Sequence, residues 1–484
     1  MSKKVIIVGG GIGGLACAVR LLKAGYYVTV YEKEATLGGR LNQIQTEGFT
    51  FDLTAAILLL KQPLLELFED LELSFEDYFD EVELNVLYRI FYQNQKYDVA
   101  ADLSTFLNTI EQQSLQQARS FSNFIDEGNK RYTLTNELIL SKPFENMTVF
   151  FNQRLLKATI KLNPLQNASS YLKQFSLSSW LEQYILFQTM YVGINPYKAS
   201  NIYHILPAVT QLHGISYLRG GLYSIVQTLQ QLITDVGGQI YLNTEVTQII
   251  TKYEKAVGIK TEHQTDRADI ILVNEDVLTA DETLLHRKRI YLQSSCSAFI
   301  LHLGLNIKLS QLQVHNLFLG PYFKKNITAP FIGLLPKQPS LYVYCPSRID
   351  SKMAINGGES LSVTIRVPHL SSNFKWTPAY EKQLRDYIIQ TLAKILNEPH
   401  LSEHIVVEST VTPVTLKTRF NAYDGNAFGV NHSLLNMTYF RPHHKSKQYK
   451  NLYYVGASTH PGTGIALVLK GAKLVTEMIL RDTQ

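Results

Sequence analysis

Cysteine is scarce in this chain of 484 residues: Cys17, Cys296 and Cys345 are the only three, and they are far apart. That spacing excludes a disulfide framework and a thiolate metal site, and it suits a reducing cytoplasm. Long apolar runs are also missing, since no stretch approaches the roughly 18 residues a spanning helix needs. A protein that crosses no membrane is expected. Charge of one sign is lacking too: 46 Lys and Arg against 41 Asp and Glu leave +5, without long basic blocks, so nucleic acid is not an expected partner. The small excess still permits weak attraction to anionic headgroups. The start, MSKKVIIVGGGIGGLACAVRLL, has the two lysines and apolar stretch of a signal peptide, but its glycines follow another spacing and no clean cleavage site follows.

What is present is enough chain for two or more packed units, because a single core stops growing at roughly 250–300 residues. Lys4 to Val8 reads as a buried parallel strand, Leu15 to Lys23 as a helix and Tyr27 to Glu32 as a second strand. After about residue 85 the pattern becomes helical and rich in Gln, Asn and Tyr up to Gly214. Strands return in Val236 to Ile250 and in Ala268 to Asn274. A second interruption, from about Tyr291 to Thr412, carries strands at Ala298 to Leu303, Leu341 to Tyr344 and Ser360 to Val367, as in an antiparallel sheet roofing a pocket. The final segment from Asn451 is strand, glycine-rich turn and helix. The expected architecture is therefore α/β: a Rossmann-type domain from residues 1–85, 215–290 and 413–484, and an inserted helical and antiparallel-sheet domain from 86–214 and 291–412.

Gly9, Gly11 and Gly14 form G-x-G-x-x-G between a strand and a helix, and Glu32 closes the second strand about 20 residues on. The glycines admit a pyrophosphate against the helix N-terminus, and the carboxylate takes a ribose hydroxyl. Gly38, Gly39 and Arg40 add a turn whose cation reaches the phosphates or the flavin edge, unless it is an ordinary solvated turn. These residues point to FAD. Near the end, Gly456, Gly462 and Gly464 punctuate a second turn ahead of a helix, whose dipole would stabilise a reduced flavin. His460 within it reads equally as a base or as a hydrogen-bonded structural residue.

VIIVGGGIGGL, GGRLNQ, LRGGLYSI and GASTHPGTG together resemble the carotenoid desaturase family of phytoene desaturase-like flavoproteins, with an amine oxidase-like fold. Ser295 to Phe299 and LFQTMYVGINP, Leu186 to Pro196, are similar to its bacterial branch acting on thirty-carbon precursors. The resemblance implies FAD-dependent desaturation of a linear apolar isoprenoid, in a tunnel that some of the 22 Phe and 28 Tyr would line, on a membrane surface. Phe144 to Lys161 and Tyr439 to Lys450 are the candidate surface segments, each also readable as ordinary solvated surface. A homo-oligomer is compatible with the chain. Two departures stand out: Thr54-Ala55 replaces a glycine-proline pair after Phe51 and Asp52, and Ala466 replaces a proline, with Lys470 further along. Asp52, His460 and Arg40 are the residues nearest the chemistry in motif terms, and none has the spacing of an acid-base pair. A related oxygenase, a polyene isomerase and a non-redox isoprenoid carrier share these motifs or this architecture.

Overall fold

A computed structural model describes residues 3–147, 152–287, 292–371 and 373–483. The β-branched run Lys4–Val8 lies in the middle of a five-stranded parallel sheet, ordered Leu452–Tyr454, Ile270–Val273, Lys4–Val8, Tyr27–Tyr31, Gln239–Tyr241. Such strands need cover on both faces. Leu15 of the Ile12–Lys23 helix, Val475 of the Ile465–Thr483 helix and Leu229 of the Tyr223–Asp235 helix share one core on one face. The other face carries Ile6, Ile271 and Tyr454 against a three-stranded meander, Val246–Lys252, Lys255–Thr261 and Thr265–Arg267. The first helix starts three residues earlier than its apolar pattern implied, directly after Gly11.

A seven-stranded sheet forms the second layer system, in the order Ile405–Val411, Ser297–Leu305, Glu359–Val367, Leu341–Tyr344, His315–Leu319, Val86–Tyr92, Gln95–Ala100. Its period-2 alternation sorts two cores. Leu341, Val343 and Val363 face the Pro378–Ile395 helix, whereas Tyr342, Tyr344 and Leu317 face the helical segment carrying Phe121 and Tyr184.

The helical reading after residue 85 holds only from Leu103 onward, because Val86–Tyr92 and Gln95–Ala100 form a hairpin first. VLYRIFY is β-branched and aromatic, and tertiary pairing with His315–Leu319 outweighs the polar residues around it. That pairing is parallel, so the sheet is mixed. His315–Leu319 and Ile405–Val411 are two further strands beyond those the alternation identified. The boundary expected between residues 290 and 291 falls outside the described residues.

Candidate functional site

Strand ends and one helix start converge on a cleft of about 1060 Å³, mouth included, between the parallel sheet and the Pro413–Phe420 helix. Gly9, Gly11, Glu32, Gly38, Gly39, Arg40 and Gly456 line it; Gly14, Gly462 and Gly464 do not. Gly9 has φ +94°, and a Cβ there would meet the Asn274 carbonyl at 2.7 Å. Only glycine fits that crossing. Gly11 is the N-cap of the first helix and no side chain caps it, nor does any acid occupy its first turn. Gly11, Ile12 and Gly13 line the cleft at this uncapped helix start, so an anionic pyrophosphate seated there would meet the positive end of the helix.

Glu32 is held in place by two backbone donors: Gly10 N–H reaches Oε2 at 2.7 Å and Glu34 N–H reaches Oε1 at 2.9 Å. Burial raises its pKa above the ordinary carboxylate range, opposed by those same bonds. Arg40 Nη1 donates to the Ala427 carbonyl at 2.7 Å, while burial lowers its pKa and nearby Asp276 raises it. Thr54, one of the two departures after Asp52, donates its hydroxyl to the Arg40 carbonyl at 2.7 Å. A side-chain bond thus pins the backbone that a glycine-proline pair would hold by covalent geometry. The second departure, Ala466, is buried at the start of the C-terminal helix, and Lys470 reaches Asn136 Oδ1 at 2.6 Å.

Several cleft residues carry no motif and escape a reading of spacing alone. Asn274 donates to the Gly9 carbonyl at 3.2 Å from the end of its strand. Glu275, beside it, is pushed up to about 7 by burial and accepts from Asn421. Phe420, Thr244 and Val246 complete the wall opposite the glycines. A polar residue directly after the buried run IILV is the one signal that marks Asn274 and Glu275.

Arg441 is the least expected. It is among the largest fully buried side chains, and it donates only to carbonyls: Thr459 at 2.8 Å, Ala457 at 2.6 Å, Val430 at 3.1 Å, Asn436 at 3.2 Å and Asn431 at 3.3 Å. It thereby staples the turn after Gly456 to the preceding loop.

Asp52 and His460 lie elsewhere. Asp52 accepts from Leu222 N–H at 3.2 Å and the Tyr344 hydroxyl at 3.1 Å, and burial raises its pKa to about 7. It clasps the Gly220-Gly221 turn and is not a cleft residue. His460 Nε2 contacts the Ile139 carbonyl at 3.1 Å, its ring meets Phe144 edge-on, and burial lowers its pKa to about 3. It lines a separate cavity with Phe144 and Arg441. The Thr463 amide points at His432 Nε2, 3.4 Å away. Among the described residues no cluster of His, Cys, Asp or Glu forms a metal site.

The uncapped amides, the cradle left by absent Cβ atoms and the ribose carboxylate fit the adenosine diphosphate half of FAD. The family profile of flavin containing amine oxidoreductases matches residues 12–480. A 4,4'-diapophytoene desaturase (4,4'-diaponeurosporene-forming) of Staphylococcus haemolyticus is 33% identical over 99% of both chains, and one of Staphylococcus aureus is 31% identical with the same coverage. Among solved structures, putrescine oxidase with bound putrescine aligns with TM-score 0.64 at 13% identity over 99% of both chains. Rab GDI of Plasmodium falciparum aligns with TM-score 0.56 at 13% identity over 99% of this chain and 98% of that one. The two solved structures share the fold. The chain thus belongs to the flavin containing amine oxidoreductases and, within them, to the carotenoid desaturases, as an FAD-dependent oxidoreductase.

Proposed function

We propose that this chain introduces double bonds into a linear thirty-carbon isoprenoid, 4,4'-diapophytoene, extending its conjugation stepwise. The observation that carries this reading is the 33% identity to a desaturase of that substrate along 99% of both chains. When bound, FAD supplies the oxidant for saturated carbon–carbon bonds. The chain's own task is to bind it, orient the polyene and exclude water. The uncapped helix start at Gly11 to Gly13 and the Glu32 carboxylate hold the adenosine end, and Arg40 and the Gly456 turn continue the same wall. Beneath the seven-stranded sheet, Tyr88, Tyr184, Tyr191 and Tyr342 pack as a buried aromatic group suited to a flat conjugated chain.

A membrane surface is the source of such a substrate in this proposal. No helix among the described residues is long and apolar enough to cross a bilayer. The Gln153–Leu162 helix instead exposes Leu156 and Ile160, four residues apart, beside Arg154, Lys157 and Lys161. Residues 148–151 of the same candidate segment lie outside the described residues. Phe144 to Asn146 and Thr438 to Lys447 line one cavity of about 670 Å³, so the two candidate surface segments meet on one side of the molecule. Phe440 and Leu435, the latter 80% exposed, are further exposed apolar side chains. This is the pattern of a surface-lying helix.

Cells that make the thirty-carbon precursor test the activity. Co-expression should yield yellow pigments of increasing wavelength; a colourless precursor with FAD bound overturns the desaturase reading, and aldehyde or carboxyl ends made by this chain alone replace it with an oxygenase. For the surface, Leu156→Asp with Ile160→Asp should reduce co-sedimentation with phosphatidylglycerol vesicles. Unchanged sedimentation removes the helix from the docking face.

A further inference from the structure

A hydrocarbon substrate leaves one partly buried cation of this molecule without a purpose. Arg366 lies within the Glu359–Val367 strand and lines an open pocket of about 400 Å³, mouth included, whose apolar walls include Phe187, Met190, Phe323 and Ile327. Its Nε donates to the Met190 carbonyl at 3.0 Å, and its guanidinium carbon stands 4.6 Å over the Phe428 ring. Among the described residues no acceptor takes its two terminal nitrogens and no carboxylate pairs with it. The groups that feel its charge are the Cys296 thiol and the Tyr191 and Tyr342 phenols, and burial lowers its pKa. Three other polar side chains of the pocket are already engaged. Asn326 Oδ1 accepts from Gln338 N–H, Ser340 Oγ accepts from Gly320 N–H, and the Tyr342 hydroxyl pairs with His315 Nδ1.

A cation partly withdrawn from water and left without an anion is disfavoured, and a hydrocarbon returns nothing to it. A carboxylate returns two parallel hydrogen bonds from the guanidinium fork. We propose that Arg366 and its pocket form a subsite for the carboxylate end of a linear isoprenoid or fatty chain. The proposal rests on the reading that this interior accepts a linear polyene. The subsite is linked to the cofactor cleft through the chain: the Phe428 ring under Arg366 follows Ala427, whose carbonyl holds Arg40. An acid-ended chain seated there occupies the space a hydrocarbon needs, so the enzyme distinguishes chains whose ends have already been oxidised and is inhibited by them.

The test uses holoenzyme with retinoate, methyl retinoate and the corresponding hydrocarbon axerophtene as probes, read by perturbation of the flavin absorbance. Retinoate should bind about tenfold or more tighter than either neutral probe, a difference of about 1.4 kcal/mol. Arg366→Met should abolish the preference and Arg366→Lys should retain part of it, with FAD content as the control for folding. Equal binding of the three probes to wild type overturns the proposal even if no variant folds, and so does a preference that survives in Arg366→Met. Pigment formation from the thirty-carbon precursor is scored separately. Desaturation without an acid preference refutes the subsite alone, and an acid preference without desaturation refutes the substrate assignment alone.

Discussion

Replacing Asp52 by Asn separates a clasp from a proton acceptor. The Asp52 carboxyl is buried against Leu222 N–H and the Tyr344 hydroxyl, with Asp350 and its partner Tyr217 nearby, and its pKa rises from 3.8 to about 7. Below the lower value the group is protonated in both folded and unfolded chains and contributes no pH dependence. Between the two values the unfolded chain releases a proton that the folded chain keeps, so stability falls as pH rises through that window. Above it both states are ionised and the loss is complete. A rise of this size corresponds to about 4 kcal/mol. Asparagine carries no such penalty, accepts from Leu222 with its Oδ1 and reaches Tyr344 with its amide; its lost charged bonds cost about 1–3 kcal/mol, largely independent of pH. Urea unfolding of both holoproteins from about pH 4 to about pH 8 should therefore show the stability difference moving in favour of Asp52→Asn by several kcal/mol. Pigment formation should persist. Parallel curves would refute the burial argument, and an active fold without any turnover would make Asp52 the proton acceptor.

Three more outcomes follow from the cleft. Glu32→Ala removes both the ribose acceptor and the partner of Gly10 N–H, so titration of apoprotein with FAD should show binding weaker by about 1–3 kcal/mol; equal affinity refutes the role. Denatured holoprotein should release FAD, and FMN alone would contradict the adenosine-binding geometry at Gly11 and Glu32. Arg441→Met strands five carbonyls and should lower stability by about 3 kcal/mol or more, together with FAD content; wild-type values for both would show that the staple is dispensable.

Local patterns made the nucleotide half legible because its rules are local. G-x-G-x-x-G, a β-branched strand and an acid at fixed spacing act within about thirty residues, and Gly9, Gly11 and Glu32 do line the cleft. Glu275 and the Phe420-Asn421 pair come to the same wall from segments far apart in the chain, and no local spacing connects them. Arg441 was hidden for a different reason. FRPHHK has the composition of a solvated basic surface, and only the loops folded around it reveal five carbonyl partners. The Val86–Tyr92 strand likewise depends on a partner more than 200 residues later. His460 shows another limit: a histidine in a glycine-rich turn reads equally as a base or as a structural residue, and only its surroundings show the ring directed toward Ile139 and Phe144.

The central sheet has a temporal consequence. Lys4–Val8 and Tyr27–Tyr31 leave the ribosome early, but Ile270–Val273 must arrive before the first strand is covered on its other edge, and Leu452–Tyr454 before that edge is covered in turn. The helix Ile12–Lys23 waits still longer for Ile465–Thr483, which packs on it. Closing loops of hundreds of residues makes such pairings slow relative to hairpins and helices. During synthesis the glycine turn is therefore an exposed half-site until the Gly456 wall of the cleft, far later in the chain, has been made. Cofactor capture becomes a checkpoint for synthesis as far as this wall: products cut short before Gly456 lack it, and flavin retention should report assembly of both walls ahead of any measure of activity.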